Sequence, residues 1–542
     1  MPDLVARLAD RLFADLARQF RLTFLPPLMV YFAAGVAGLT SIVGTFFVKD
    51  YLDLSAEFLA GLAFWASLPW ALKMPLGHLV DIIWRYKEGL VFLGAGLIGL
   101  SLAIMYALLT MPDQMAAIAP LSNWFVASTL LAPAGYVIQD AVADAMSVEA
   151  VPKTDKDGNP FNETQEKAMH TTMQTLGRMS LFVGLIAVAL LNISMFEGIE
   201  QKEEAEKTAI YSQIYLIALG IPLVSVSGVI FALVLKARER SRLLRQGFDR
   251  TEITKRLFDP EEKTEPNMWI FGGGALFVVL TLSVGLSDFT YSKEIIFLVS
   301  MVIVTALVIN LSGKLSPMQR NALFGTAIIL FIFRATPSPG PGIVWFEIDE
   351  LGFDQQFLSV LALITSVLAL TGMIVLRPLM AERTIATLVV ILSVLGALLA
   401  LPNIALYYGL HEVTSELTGG VVDQRFIAIL DTAAQSPLAQ IAVIPMLAWI
   451  ARYAPTNLKA TFFAVLASFS NLALSAADLF TSYINRIFIV TREVVDRETG
   501  EITVMADYSE LGILLWTVLF IGLVAPIAVV AFIQMSPFRT RD

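Results

Sequence analysis

"GYVIQDAVADAMSVEAVP", residues 135–152, reads in its first half as a membrane-spanning helix, yet it carries Asp140, Asp144 and Glu149. Asp140 and Asp144 are four residues apart, so they stack on one helix face with Ala141 and Ala145 alongside. A carboxylate at bilayer depth costs about 3 kcal/mol even on lenient insertion scales. Two on one face demand a paired or hydrated setting, and such groups mark a solute or ion path. Glu149 is rotated off that face near the helix end, where a solvated cap or a latch partner is the simpler role.

The rest of the chain supports a spanning reading. Of 542 residues, 56% are apolar and 15% charged. Apolar runs of bilayer-crossing length recur along nearly the whole chain, which marks an all-α polytopic membrane protein. Fourteen spans are expected: 22–48, 55–76, 88–111, 117–149, 169–196, 209–235, 268–289, 294–312, 320–337, 356–376, 384–402, 426–451, 459–488 and 511–533. With this count the loops on the side of the N-terminus hold 26 Lys and Arg and the opposite loops seven. Cytoplasmic loops carry that excess, so both termini are expected in the cytoplasm. Residues 1–21 place Leu4, Leu8, Leu12, Leu16 and Phe20 at helical spacing, as an amphipathic helix at the membrane surface would. An ordinary solvated helix fits the same stripe.

Cysteine is absent and there are three histidines, His78, His170 and His411, far apart in sequence. Thiolate chemistry is excluded, and the pattern offers no metal centre, no cofactor motif, no nucleophile–base pair and no phosphate loop. The chain does not read as an enzyme, and nothing in it points to nucleic acid.

The linker 236–267 is basic first and acidic later, and divides the chain near its middle. The two plain apolar segments after it read as an inserted hairpin, 268–313. Removing that hairpin leaves six helices in 22–235 and six in 314–542. The halves share traces of a repeat: "QDAVADAMS" from Gln139 and "LDTAAQSPL" from Leu430 align Asp140 with Asp431 and Asp144 with Gln435. "GHLVDIIWRYK" puts Gly77, Asp81, Arg85 and Lys87 in one cytoplasmic loop. This resembles the major facilitator loop pattern, which implies two six-helix bundles and a gating role for Gly77, Asp81 and Arg85, with Glu149 as a latch partner. A short basic loop is the plainer alternative.

Further charges lie inside expected spans: Arg178, Arg334, Asp431 and Asp478. Together with Asp140 and Asp144 they are the candidate solute- and proton-binding residues, expected to line a central cavity. The alternative is that they pair across helices and fix the bundle in register. The broken stretch "TPSPGPG", residues 336–342, cannot continue a helix and is a second candidate hinge, or simply a terminator. "VTREVVDRETGEITV" is expected to form a small hairpin around Glu498, Thr499 and Gly500.

Three stretches in order resemble the folate–biopterin transporter family of the major facilitator superfamily. Helix 4 matches its D-x-x-x-D-A-x-x-V-E pattern through Asp140, Asp144, Ala145, Val148 and Glu149. Residues 335–367 match through Thr336, Pro337, Ser338, Glu350, Leu351, Gly352, Phe353 and Phe357. Residues 451–475 match through Ala451, Arg452, Pro455, Ala460, Thr461, Phe463, Ala464, Ser468 and Asn471. The resemblance implies a secondary transporter in a bacterial inner membrane that moves a pterin- or folate-like anion by alternating access with proton symport. Arg178, Asp478, the rich Pro/Gly run and the inserted hairpin depart from the family plan. They keep open a facilitator-type carrier of another organic anion, or a non-transporting assembly protein on a transporter fold. In the latter case the hairpin or the non-cytoplasmic loops would dock a protein partner.

Overall fold

The structure is a computed structural model, which describes the chain apart from residues 1–19, 52–53, 72, 152–162, 259–265, 267, 286–288, 290, 314, 376–383, 439–458, 496–501 and 540–542. The amphipathic N-terminal segment and the matched stretch Ala451–Pro455 therefore lie outside the described residues. What is described is almost wholly helical. A helix covers at least part of every expected span. Among the described residues nine stretches are both long and apolar enough to cross a membrane. A 3-10 turn at Ala37–Thr40 lies within the first span, which is still long and apolar enough to cross as Leu22–Val48, and the helix expected over 320–337 covers Pro317–Arg334.

Two compact units emerge. The first comprises Met1–Ser41, Pro75–Met195 and Lys202–Phe271; the second comprises Ile42–Met74, Phe196–Gln201 and Gly272–Asp542.

Within the first unit we label α1 (Leu25–Val36), α2 (Glu88–Thr110), α3 (Leu121–Ala150), α4 (Glu163–Met195) and α5 (Ile221–Arg245). Glycine sets their spacing. A Cβ on Gly135 of α3 would stand 2.6 Å from the Gly94 carbonyl of α2. One on Gly184 of α4 would stand 2.7 Å from the Phe32 carbonyl of α1, and one on Gly228 of α5 would stand 2.8 Å from that of Pro26. Backbones this close gain dispersion contacts that lipid cannot match. They also let short side chains bridge helices. Gln139 donates to the Val91 carbonyl at 3.1 Å and to Ser225 Oγ at 3.0 Å, tying α3 to both α2 and α5. Ser101 and Ser128 each donate to the other's carbonyl, at 2.8 and 3.0 Å.

The second unit includes α6 (Ala56–Ala71), α7 (Ser292–Ser312), α8 (Pro317–Arg334), α9 (Pro341–Asp349), α10 (Gln355–Val375), α11 (Ile385–Tyr407), α12 (Leu410–Thr418), α13 (Gln424–Gln435), α14 (Lys459–Ile487) and α15 (Leu511–Gln534). A polar seam joins α6 to α14: Ser67 and Ser475 hydroxyls lie 2.9 Å apart, and Asn471 donates to the Trp70 carbonyl at 3.1 Å. The inserted hairpin packs here. Ile296 of α7 and Phe277 share a cluster with Phe64, Leu68 and Leu479, and Tyr483 donates to Glu294. The outer side of α7 leaves Leu298, Val302 and Ile309 exposed, as a hydrocarbon-facing helix requires. Beyond α14, β1 (Val494–Val495) and β2 (Ile502–Val504) pair antiparallel, so strands flank the turn expected at 498–500. Trp345, Phe346, Tyr407 and Tyr508 pack beside this hairpin, and Tyr508 donates to Asp349 Oδ2 at 2.5 Å.

Replacing Gly135 by leucine should overpack the α2–α3 contact. The expected loss is about 1–3 kcal/mol of stability, read as a lowered melting temperature of the detergent-purified protein.

Candidate functional site

Asp144 of α3 is met from α1. Tyr31 hydroxyl donates to Asp144 Oδ1 at 2.7 Å, and Asp140 lies within electrostatic reach of the same ring. Gly177 makes this possible: a Cβ there would stand 2.9 Å from the Tyr31 ring, so α4 lies flat against it. Ser147 Oγ donates to the Asp144 carbonyl at 2.7 Å. Asp140 and Asp144 are half-buried rather than sealed. Arg178, the residue after Gly177, is turned by about 100° along α4 and stands exposed.

Glu149 joins a compact ionic group at the end of α3. Lys87 Nζ meets Glu149 Oε2 at 2.9 Å, and Lys236 Nζ meets Glu149 Oε1 at 2.9 Å and Glu88 Oε1 at 2.8 Å. Two cations and two anions alternate, so the group is neutral. Lys87 is only 1% exposed, and its ammonium also lies 4.0 Å from the Trp84 ring centroid. Burial holds the Lys87 ammonium below the usual lysine range, against the opposing pull of Glu149. Asp81, also at this end, has its carboxyl raised by burial. Arg85 is exposed. A Cβ on Gly77 would meet nothing within 4 Å among the described residues, so packing gives no reason for glycine there.

In the second unit Asp431 is 7% exposed. Its Oδ2 accepts from Asn403 Nδ2 at 2.9 Å and from Gln435 Nε2 at 2.7 Å. Its Oδ1 is buried with no partner. Asp478 lies half-buried on α14 beside Ser67. Arg334 ends α8 half-buried, and its Nε is buried without a hydrogen-bond partner. The backbone leaves the helix at Ala335 and restarts as α9 at Pro341. This broken stretch is clamped by α14: Thr481 Oγ1 accepts from the Ser338 amide at 2.9 Å, and Asn485 donates to the Pro339 carbonyl at 3.2 Å. Gly340 has φ 78°, and a Cβ there would stand 2.6 Å from Asn485 Nδ2, so the crossing requires glycine. The "TPSPGPG" run thus ends α8 and leads directly into α9.

The structure therefore brings Asp140 and Asp144 to Tyr31, and Glu149 to Lys87, Lys236 and Glu88. Sequence reasoning missed Tyr31, Lys236, Asn403 and Glu347. Glu347 lies on α9, half-buried and within reach of the Asp431 charge. Among the described residues, no group of His, Asp and Glu could hold a metal ion.

Comparison with known proteins fixes the family. The sequence pattern of the BT1 family matches residues 34–538. The chain belongs to the BT1 family. A folate-biopterin transporter of Synechocystis sp. is 23% identical over 448 residues, covering 82% of this chain and 71% of that protein. Among solved structures, a POT family transporter in complex with 5-aminolevulinic acid superposes with TM-score 0.58 at 13% identity, covering 96% of both chains. The nucleoside transporter NupG gives TM-score 0.51 at 12% identity, covering 95% of this chain and all of that one. At such identities the likeness is one of fold, and the fold is that of the major facilitator superfamily. The chain is thus an integral membrane protein of a transporter family, and its helix 4 carboxylates belong to a transporter.

The ionic group at the end of α3 gives a direct test. Lys87→Met leaves two carboxylates facing one ammonium and should cost about 3 kcal/mol. Adding Glu149→Gln restores neutrality and should recover at least half of the lost melting temperature.

Proposed function

We propose that this BT1 family transporter moves a pterin- or folate-like organic anion by alternating access between its halves, 22–235 and 314–542, with protons as the coupling ion. Both termini lie in the cytoplasm in this reading, and the membrane is a bacterial inner membrane. The observation that carries it is the Tyr31–Asp144 hydrogen bond. A carboxylate held in place by a donor inside a spanning helix is an oriented acceptor, the group that a ligand N–H needs. A pterin ring offers an amino group and a ring N–H side by side, and a carboxylate accepts both. The name of the Synechocystis relative points to the same chemistry. Within the second unit, the Arg334 guanidinium, whose buried Nε has no partner, suits an anionic group. Asp140, Asp144, Arg178, Arg334, Asp431 and Asp478 remain the proposed solute and proton ligands, and Gly77, Asp81, Arg85 and Glu149 the proposed gating residues.

The test is ligand-dependent melting of the purified protein in folic acid, biopterin and citrate. Folic acid or biopterin should raise the melting temperature and citrate should not; a ligand at a hundred times its Kd adds about 2.7 kcal/mol. Asp144→Asn should reduce the shift at least tenfold in apparent affinity, and Tyr31→Phe should reduce it less. No response to either pterin compound sinks the substrate. Equal uptake into vesicles with and without an imposed proton gradient removes the coupling.

A further inference from the structure

The second unit pairs Asp431 with an acid from another helix. Gln435, which donates to Asp431 Oδ2, also donates to the Leu399 carbonyl of α11 at 3.0 Å, and Asn403 lies on α11 itself. One edge of the carboxyl is thereby saturated and fixed by amides anchored on two helices. The other edge, Oδ1, is buried and has no donor. A buried acceptor left this way is costly for an ionised acid. Trp345 and Phe346 of α9 share one buried cluster with Ile404 of α11 and with Ile427 and Ala428 of α13, which brings a second acid, Glu347, to the Asp431 helix from outside the expected spans. Burial first, and Asp431 next, push its carboxyl up to about 7.

Among the described residues, the cations on the surrounding elements are engaged elsewhere. On α14, Arg486 lies within electrostatic reach of Tyr483, and the acid Asp478 lies beside Ser67. Arg425, on the helix of Asp431, is held by Asp354 at 3.0 Å and lies over the Phe357 ring. Arg492 lies over Trp345, the second residue before Glu347 in the chain, and reaches the Leu54 carbonyl at 3.5 Å. On α9, Asp349 accepts from Tyr508. The α10 sequence, Gln355–Val375, contains no titratable side chain. On α11 the Tyr407 hydroxyl donates to the carbonyls of Tyr508 and Ser509. The adjoining α12 carries His411, Glu412 and Glu416, and α6 carries Glu57.

We propose that Glu347 and Asp431 form a cation site that holds one proton between them, and that this pair is where the proton of the transport cycle is loaded. Two acids sharing a buried setting cannot both ionise cheaply, so one proton stays with the pair. The amide donors of Asn403 and Gln435 hold Asp431 Oδ2 as an acceptor, which leaves Oδ1 as the edge open to the shared proton. The second clause of the proposal rests on the transport reading above; the first does not.

The experiment is thermal unfolding of the full chain in detergent from about pH 5 to about pH 9, in choline chloride and in NaCl. Glu347 titrates higher when folded than when unfolded. Its stabilising effect is therefore present at low pH and lost as pH rises through about 7. The wild type should lose melting temperature over that interval. Glu347→Gln and Asp431→Asn, which mimic protonated acids, should flatten the loss, whereas Glu412→Gln should retain it. A wild-type profile that stays level, or a loss that persists in Glu347→Gln, overturns the pair. Melting raised by NaCl above about pH 8 in the wild type, and not in Glu347→Gln, would assign the site to sodium and overturn the proton. If a variant does not fold, the infrared carbonyl band of a protonated carboxyl decides on the wild type alone. Its disappearance through about pH 7 is expected, and its absence at low pH overturns the pair. In proteoliposomes, Glu347→Gln should lose at least tenfold of the folic acid uptake driven by an inward proton gradient. Unchanged driven uptake overturns the loading role. No folic acid uptake by the wild type would instead sink the substrate reading, with the melting result still deciding the pair.

Discussion

A polar group taken into a bilayer must bring its partner with it, because hydrocarbon supplies none. In the first unit that constraint and the packing constraint are one. Asp144 is met by Tyr31, but Tyr31 reaches it only because Gly177 lets α4 lie against the ring. Gln139 reaches a carbonyl of α2 and a hydroxyl of α5 only because Gly94 and Gly135 let α2 and α3 touch by their backbones. Closing the bundle and neutralising its polar groups are therefore the same event. A larger residue at any of these glycines separates a donor from its acceptor as well as two helices.

This coupling explains what was legible in the sequence. Helices were legible, since apolar runs and loop charge are read locally. The facing of Asp140 and Asp144 was legible from a four-residue spacing. Partners were not. Tyr31 in an otherwise apolar segment looks like an interfacial or core aromatic, and nothing local tells it that Asp144, 113 residues on, will be its acceptor. Lys236 reads as the first basic residue of a solvated linker, yet it is shared by Glu88 and Glu149. Glu149 could be read as a latch partner, but not which cations would hold it. Glu347 was hidden differently. The run "TPSPGPG" reads as the end of a helix, and a loop acid after it draws no attention. The missed signal was Pro341, since proline favours the first turn of a helix and so marks a restart as readily as a stop.

The aligned stretches "QDAVADAMS" and "LDTAAQSPL" meet their polar groups in two different ways. Asp140 aligns with Asp431, and Asp144 with Gln435. In the first unit the position one turn on is a second acid, and a tyrosine on another helix supplies the donor. In the second unit that position is itself the donor: Gln435 bonds Asp431 within α13. One side-chain exchange, carboxylate for amide at the same spacing, thus converts an acid pair needing an outside donor into an acid already half satisfied. The second acid then has to arrive from elsewhere in the chain, and Glu347 does so from the restarted helix α9. If both halves bound a solute alike, such a trade would carry no advantage. The proposed division of labour, a hydrogen-bond-accepting face on α3 and a proton-holding pair on α9 and α13, would account for it, because the two tasks need opposite settings. A ligand acceptor must stay ionised and accessible, whereas a proton carrier must be buried enough to hold its proton near neutral pH.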